Sequence, residues 1–379
     1  MSLGLLASGS FANRLAGDFT SNRLAGYFSS NRFANGLLAS LLANDFTSHF
    51  TPNHFACDFS SDAFANGLAN QRTCDCFLLR SRFLSNCHRW YESSFLRSAS
   101  DQGCCLPYTV LRGSMQVFAD DGTRIDVSVD GRERAAAVVL IHGFPMTRAI
   151  WDAQMETLVT SSRVLRPDLR GAGTSSVPDG PYLMERLAAD IATLLDSLGI
   201  ERAALAGHSM GGYVALAFAR MFTERITRLA LVASRLRADT PQEAAARYAL
   251  ADRVEREGSV DPVIEAYLPK LLAPETFAAR DEVVERTAAI ARQNAPPGIA
   301  ATLRGLALRV TSEDIAEDLE IPVLVVAGGA DCVVSLDEAR CVAGRFPRGE
   351  LVVCARAGHL PMLEEPECVA DALAGWLTG

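Results

Sequence analysis

The chain has 379 residues, a formal net charge of −9 at pH 7 and 49% hydrophobic residues. This length allows one large core together with a further segment. No cluster of Lys and Arg stands out against the acidic balance, so nucleic acid is not an expected partner. Neither a secretory signal at Met1 nor an apolar run long enough to span a bilayer is visible. We therefore expect a cytoplasmic protein with no membrane partner.

Residues 1–114 differ in composition from the rest of the chain. They hold 12 of the 18 Phe and no Lys, and a nine-residue repeat begins at Asn13, at Asn22 and again at Asn31. Nine residues are short for a repeating supersecondary unit, and the copies lack the glycine pattern of a nonapeptide β-helix. We expect a disordered or irregular low-complexity extension that is not part of the native fold. On this hypothesis it is translated repetitive DNA upstream of a native start at Met115. The alternatives are a disordered interaction arm and an organelle transit peptide.

The cysteines do not form the pattern of a disulfide scaffold. Those in the C-terminal part lie among strand and helix segments and are interpreted as small core hydrophobes. They are Cys332, Cys341, Cys354 and Cys368. In the extension, Cys74 and Cys76 with Cys87 and His88 lack CxxC spacing. A metal site is therefore not expected there.

From Met115 onwards, strand-like and helix-like segments alternate, which indicates an α/β sheet. The first two strands, Met115–Phe118 and Arg124–Val129, are joined by a hairpin turn containing Gly122. Apolar runs typical of strands buried on both faces follow. They are Val138–Ile141, Arg163–Arg166, Ala203–Ala206, Leu229–Ala233, Pro322–Ala327 and Leu351–Cys354. A helical pattern covers Tyr182–Leu198, between the runs Arg163–Arg166 and Ala203–Ala206.

Residues 240–310 show only amphipathic helical patterns and no strand. Thr240, Pro241 and Glu243 form a capping box with proline at the first helical position. Helices are predicted at 241–256, 260–271, 275–293 and 297–308. An insertion at this point of an α/β fold would lie over the C-terminal edge of the sheet, where ligands bind. The sequence therefore predicts a helical lid over about 240–310.

Gly207-His208-Ser209-Met210-Gly211 stands between a predicted strand and a predicted helix. A Gly-x-Ser-x-Gly sequence in this context is typical of a nucleophile elbow. The serine occupies a strained turn, and a side chain at either glycine would collide with the neighbouring strand or helix. Such a turn raises the Ser209 hydroxyl above the sheet edge and aims backbone N–H groups at a bound carbonyl oxygen. The pattern therefore indicates Ser209 as a nucleophile.

Further motifs occur in order along residues 115–379. His142–Pro145 and Asp168–Ser175 precede the Ser209 elbow, and Gly328–Asp331 and Gly358–His359 follow it. With these motifs the region resembles the α/β-hydrolase superfamily, in particular small bacterial esterases and 3-oxoadipate enol-lactonase-like members. The resemblance implies a mostly parallel central sheet flanked by helices, with a helical lid. Haloalkane dehalogenases and epoxide hydrolases of this fold resemble each other in having Asp at the elbow, so a serine there favours acyl transfer.

The residues and the resemblance agree on a catalytic set of Ser209, Asp331 and His359. A serine hydroxyl is a poor nucleophile until a base removes its proton. His359 follows the last strand and is the predicted base, and Asp331 would orient its imidazole. Asp168 precedes the serine and so breaks the order Ser…Asp…His. Asp239 remains the alternative acid, because the resemblance includes members whose acid follows the strand at 229–233.

The remaining candidates surround this set. The oxyanion hole is expected from the backbone N–H groups of Phe144 and Met210. Met146, Trp151 and Leu360 are candidate walls of the substrate pocket, although core packing explains each as well. Further polar residues are interpreted as packing or bracing groups. They are His142, His208, Asp168 and Arg170.

These inferences predict a serine hydrolase that cleaves a carboxylic ester or lactone through an acyl-enzyme. Its partner would be a small-molecule ester or lactone, and neither a cofactor nor a metal is implied. One alternative is cofactor-free perhydrolysis on the same triad, as in haloperoxidase-like members. Another is a non-catalytic ligand receptor that retains the fold. The acyl group, the alcohol and the oligomeric state are left open by the sequence.

Overall fold

The computed structural model describes residues 110–379. The nine-residue repeat and the Cys74, Cys76, Cys87 and His88 group lie outside the described residues. The expectations for the extension and for a domain boundary at Met115 therefore stay predictions.

The structure contains the predicted sheet. Within the described part of the chain there are eight strands: β1 Val110–Phe118, β2 Arg124–Arg132, β3 Ala137–Ile141, β4 Arg163–Pro167, β5 Ala203–His208, β6 Ile226–Val232, β7 Val323–Gly328 and β8 Gly349–Cys354. They form one sheet in the order β1-β2-β4-β3-β5-β6-β7-β8. Only the pairs β1·β2 and β2·β4 are antiparallel, and the others are parallel.

The burial of the strands follows from what covers the sheet. Every residue of β3, β5 and β7 is buried, as expected where helices pack on both faces of parallel strands. In β2, buried and half-buried residues alternate instead, because one face of this antiparallel strand is less covered. The core therefore lies on the central strands, and their C-terminal ends carry the loops of the candidate site.

Helices flank this sheet and fill the segment between β6 and β7. The described α-helices are α1 Met155–Leu158, α2 Met184–Ser197, α3 Met210–Met221, α4 Pro241–Glu257, α5 Asp261–Leu271, α6 Pro274–Ala279, α7 Asp281–Ala291, α8 Pro296–Ala307, α9 Glu313–Ala316, α10 Leu336–Gly344, α11 Pro361–Glu364 and α12 Pro366–Thr378. Short 3₁₀ helices occupy Arg148–Gln154 and Thr223–Arg225. None of the helices found in residues 110–379 is both long and apolar enough to cross a bilayer. We call Pro241–Ala307, which comprises α4 to α8, the helical insertion.

The first strand begins earlier than predicted. β1 starts at Val110 and not at Met115, and its pairing with β2 runs without interruption from Val110–Arg132 to Phe118–Arg124. Gly113 and the polar residues around it give this segment no regular alternation, so the local sequence does not indicate a strand. The pairing with β2 supplies the backbone hydrogen bonds that the local pattern does not predict.

The helix predicted over 275–293 is two helices. α6 ends at Ala279 and α7 begins at Asp281, with Arg280 between them in a non-helical conformation. No Gly or Pro marks this break. The Arg280 guanidinium donates a 2.8 Å hydrogen bond to the Glu364 backbone carbonyl, and this tertiary contact helps to hold the chain out of the helical path.

The interpretation of the four C-terminal cysteines as core hydrophobes is wrong for Cys332 and Cys341. Cys354 is buried, but it forms a disulfide with Cys368, and Cys332 and Cys341 are exposed. The disulfide links the last residue of β8 to the first turn of α12, and the two Cα atoms are 6.0 Å apart. This proximity depends on α12 packing back on the sheet, which no cysteine spacing could have indicated.

Candidate active site

The turn between β5 and α3 has the strained geometry expected of an elbow. Ser209 joins the two elements with φ 48° and ψ −110°, a region that side chains rarely adopt. A Cβ on Gly207 would lie 2.2 Å from the backbone of Gly211, and one on Gly211 would lie 2.3 Å from the Ile141 carbonyl oxygen. Both positions therefore require glycine, which explains the spacing of the motif.

Hydrogen bonds to β6 and to the residues after it hold this turn. The Ser209 N–H donates to the Val232 carbonyl at 2.8 Å, and the Ser234 hydroxyl donates to the Ser209 carbonyl at 2.9 Å. Ser234 is buried and follows β6, the strand beside β5. This hydrogen bond could not be predicted from the sequence, because a serine after a buried strand gives no specific signal. The backbone that carries the serine hydroxyl is thus held by β6 and by the loop that follows it.

The three side chains of the predicted set meet at the C-terminal edge of the sheet. The His359 Nε2 lies 2.9 Å from the Ser209 Oγ, and its Nδ1 lies 2.8 Å from the Asp331 Oδ2. The side chains of His359 and Asp331 are 2% and 1% exposed. Because a carboxylate only accepts, the Nδ1 carries the hydrogen and donates to Asp331. The lone pair of Nε2 then faces the serine hydroxyl.

Asp331 is oriented by its own loop. Its Oδ1 accepts hydrogen bonds from the N–H groups of Val333 at 2.6 Å and Val334 at 3.0 Å. The buried Arg235 donates to the Val333 carbonyl and so holds the same loop from β6. These bonds fix one carboxylate oxygen and leave the other for the imidazole. Neither Arg235 nor the two valine N–H groups could have been identified from sequence.

The loop after β3 packs against the elbow. A Cβ on Gly143 would lie 2.4 Å from the His208 Nδ1, so this glycine allows the loop to approach. Among the hydrogen bonds of residues 110–379, none is donated by the backbone N–H of Phe144 or of Met210. Met210 is the first residue of α3, where the N–H has no partner within its own helix. Both groups are thus available as donors beside Ser209.

The two other histidines of residues 115–379 are packing groups. Burial lowers the pKa of His142 and lowers that of His208 well below its ordinary value. The His142 Nε2 accepts from the Leu169 N–H at 3.0 Å, and the His208 Nε2 donates to the His359 carbonyl at 2.8 Å. Neutral His208 therefore connects the elbow to the backbone of His359.

The proposed pocket residues lie in the core. Met146, Trp151 and Leu360 are each at most 2% exposed and belong to the hydrophobic core. Their burial fits core packing, and their role in a substrate pocket stays a prediction. A cavity of about 470 Å³ lies elsewhere, lined by residues that include Arg148, Asp168 and Gln293 but none of the triad positions.

Asp168 and Arg170 brace the loop after β4, in agreement with their interpretation. Asp168 accepts from the N–H groups of Arg148 at 2.9 Å and Thr174 at 3.1 Å. Arg170 forms two hydrogen bonds to the buried Asp190, of 2.6 and 2.7 Å. Neither residue contacts His359. The described residues contain no group of three or more His, Cys, Asp or Glu arranged to hold a metal ion.

The alternative acid, Asp239, has other partners. It pairs with Arg247 and with Arg309, the latter at 2.9 Å, and its side chain is 3% exposed. Burial alone would raise the pKa of Asp239, but the hydrogen bonds and positive charges of Arg247 and Arg309 outweigh it and hold the pKa below the ordinary 3.8. Asp239 therefore anchors α4 to the loop after β6.

We expect D239N to destabilise the fold by about 3 kcal/mol at pH 7, because it leaves two arginines without their buried counter-charge. A carboxylate with a lowered pKa stabilises the fold above its unfolded pKa, and this contribution disappears as the pH falls through the folded pKa. The difference in unfolding free energy between wild type and D239N should therefore become smaller below about pH 3.8. Urea unfolding at a series of pH values measures it. A difference in unfolding free energy that stays constant down to pH 2.5 would contradict the role of Asp239 as a buried counter-charge. D152N, at an exposed ion pair, is the control.

Comparison with known proteins gives the same fold. The family model described as alpha/beta hydrolase fold matches residues 136–366. The chain is 27% identical over 263 residues to 3-oxoadipate enol-lactonase 2 of Acinetobacter baylyi, which covers 68% of this chain and 95% of the relative. A thermophilic esterase from Thermogutta terrifontis, solved with malate bound, has a TM-score of 0.66 and 38% identity over 71% of this chain and 98% of its own.

A further solved structure, the enol-lactonase from Burkholderia xenovorans, has a TM-score of 0.65 and 26% identity, and covers 70% of this chain and all of its own. The family match covers more than half of the 379 residues and includes the loops of Phe144, Ser209, Asp331 and His359. The strand order, the elbow and these similarities lead to one conclusion. The chain belongs to the alpha/beta hydrolase fold family.

Proposed function

We propose that the protein is a serine hydrolase that cleaves a carboxylic ester or lactone through an acyl-enzyme intermediate. One observation carries the proposal: the His359 imidazole lies within hydrogen-bond distance of both the Ser209 Oγ and the Asp331 Oδ2. A base beside a hydroxyl, itself oriented by a carboxylate, is the arrangement that activates a serine nucleophile.

The geometry supports a definite sequence of steps. Nε2 of His359 takes the hydroxyl proton as Ser209 Oγ attacks the carbonyl carbon of the substrate. The resulting imidazolium is stabilised by Asp331, which keeps its negative charge. His359 then gives the proton to the leaving alkoxide, and the C–O bond of the ester breaks. In the second half His359 takes a proton from water as the water oxygen attacks the acyl carbon. The bond between that carbon and Ser209 Oγ then breaks, and His359 returns the proton to Oγ as the acid leaves.

The negative charge that develops on the carbonyl oxygen requires donors in place before the reaction. We assign this role to the backbone N–H groups of Phe144 and Met210. Met210 stands at the N-terminus of α3, where the helix dipole adds to the stabilisation of an anion. The close approach of Gly143 to His208 supports the placement of Phe144 beside the elbow.

The helical insertion is proposed to act as the lid of this site. The Tyr267 ring packs edge-on against Phe144, with the ring centroids 5.5 Å apart. The Asn294 side chain donates to the Pro145 carbonyl at 2.7 Å and accepts from the Gly173 N–H at 3.0 Å. These contacts join the insertion to the loop that would form the oxyanion hole, which is where a lid would control access.

The experiment is an activity screen with p-nitrophenyl esters and lactones of graded chain length. The enol-lactonase and esterase similarities favour turnover of at least one ester or lactone series, without added metal or cofactor. Labelling of Ser209 by a fluorophosphonate without any turnover would favour the receptor alternative, and halide oxidation with peroxide and acetate would favour perhydrolysis.

The proposal also covers the cellular compartment of the protein. We propose the cytoplasm as the compartment in which the protein acts. The Cys354–Cys368 disulfide is uncommon for that compartment, so fractionation of the native host addresses this point separately from the chemistry.

A further inference from the structure

Glu364 is a buried carboxylate that the proposed reaction does not use. It ends the short helix α11, five residues after His359, and the residue is 4% exposed. Burying a carboxylate is costly unless it is fully hydrogen-bonded. Its partners therefore indicate what it holds.

Two elements far apart in the sequence donate to this one carboxylate. Oε1 accepts from the Gly358 N–H at 2.8 Å, in the loop that carries His359. Oε2 accepts from the Ala273 N–H at 2.8 Å, between α5 and α6 of the helical insertion. The Thr276 hydroxyl in α6 and the Leu360 N–H are further donors near the carboxylate, and both lower its pKa.

The two elements are also in direct contact. A Cβ on Gly358 would lie 2.3 Å from the Ala273 nitrogen and 2.6 Å from the Leu272 carbonyl carbon. The backbone of the insertion thus rests on the residue that precedes His359. No side chain separates the two backbones, so a displacement of one directly displaces the other.

The positively charged side chains around Glu364 do not pair with its carboxylate. In the described part of the chain, no Arg, Lys or His forms an ion pair with the Glu364 carboxylate. Arg280 faces it from the end of α6 but donates to its backbone carbonyl, and Arg356 pairs with the neighbouring Glu365. Burial raises the pKa of Glu364, and the N–H and O–H donors around the carboxylate offset only part of that effect.

We propose that Glu364 is a positioning residue that couples the helical insertion to the His359 loop, so that movement of the 272–276 segment is transmitted to the catalytic base. Only the effect of this coupling on catalysis rests on the proposed function. The mechanical link itself is carried by the hydrogen bonds to Gly358 and Ala273. A substrate that orders the insertion would thereby also order the base.

The test compares E364Q with E365Q in the full chain. Glu365 is the matched control because it accepts from the Arg356 and Ala357 N–H groups of the same loop but does not contact the insertion. Hydrogen exchange should become faster in E364Q both in peptides covering 272–280 and in peptides covering 355–360. In E365Q, only the 355–360 peptides should change. The kcat of E364Q should fall roughly tenfold with KM within about twofold, since a small displacement of the base affects the chemical step more than binding.

T276V keeps the proposal testable if E364Q does not fold. This near-isosteric change removes only the hydroxyl donor from the insertion side, and it should speed exchange in both regions to a smaller extent. Faster exchange in the 355–360 peptides alone, in either E364Q or T276V, would overturn the coupling, as would a kcat loss in E365Q equal to that in E364Q. If wild type shows no ester or lactone turnover, the proposed function fails, but the exchange experiment still decides the coupling.

Discussion

Replacing Ser209 by alanine is expected to lower kcat for ester hydrolysis by about a millionfold, the order seen when a catalytic serine is removed. The variant has no oxygen to attack the substrate, and the lone pair of the His359 Nε2 loses the group it faces at 2.9 Å. Alanine retains the Cβ of serine, so the backbone strain at φ 48° is unchanged. The fold should therefore survive, with a melting temperature within a few degrees of wild type.

Steady-state kinetics and thermal unfolding of S209A check both parts of this expectation. S197A, at an exposed position of α2, is the control and should keep wild-type activity. Ester turnover by S209A at more than about one-thousandth of the wild-type rate would show that another group performs the attack. A large drop in melting temperature would mean that activity was lost through the fold.

The second large effect is expected for Asp331→Asn, with a fall in kcat of about 10⁴-fold. Oδ1 of Asp331 accepts from the Val333 and Val334 N–H groups, so the carbonyl oxygen of an asparagine would occupy that side. Its NH₂ group would then point at the His359 Nδ1 and force that nitrogen to accept. The hydrogen would move to Nε2, which could no longer take the proton of Ser209.

D239N is the matched variant for this experiment, because Asp239 is the other acid that the sequence allows. Its carboxylate pairs with Arg247 and Arg309, so D239N should lose stability but keep kcat within about tenfold of wild type at a temperature where it is folded. The opposite pattern, a small loss in D331N and a large one in D239N, would move the catalytic acid to Asp239.

The parts of the site that follow from local sequence were predictable. The elbow needs glycines at two positions because backbone atoms approach within 2.2 and 2.3 Å of where their Cβ atoms would be. The strands before Phe144, Ser209 and Asp331 are buried apolar runs. The apolar run before His359 forms the less buried edge strand β8, and parallel strands bring their C-terminal ends to one edge. The order of the motifs therefore places the reactive side chains near one another.

Features that depend on contacts between distant segments could not be predicted. The start of β1 at Val110 requires pairing with β2, and the break at Arg280 is stabilised by a bond to the Glu364 carbonyl. The Cys354–Cys368 disulfide likewise depends on the packing of α12. Local periodicity contains none of this information, because the partners lie on other elements.

Glu364 is the one missed residue for which the sequence held a signal. It follows the apolar residues Leu360, Met362 and Leu363 in a short helix, and all three are buried. A carboxylate directly after such a run must either reach solvent or find several donors. The sequence therefore marked Glu364 as unusual, although it could not indicate that Ala273 and Gly358 would supply the donors.

The central claim is that Ser209 is the nucleophile and that His359 activates it. The most direct measurement is the site and rate of fluorophosphonate labelling, followed by intact mass and peptide mass spectrometry. We predict one label per chain on Ser209, none on S209A, and labelling slowed by more than about a hundredfold in H359Q. A label on another residue, or wild-type labelling rates in H359Q, would contradict the account.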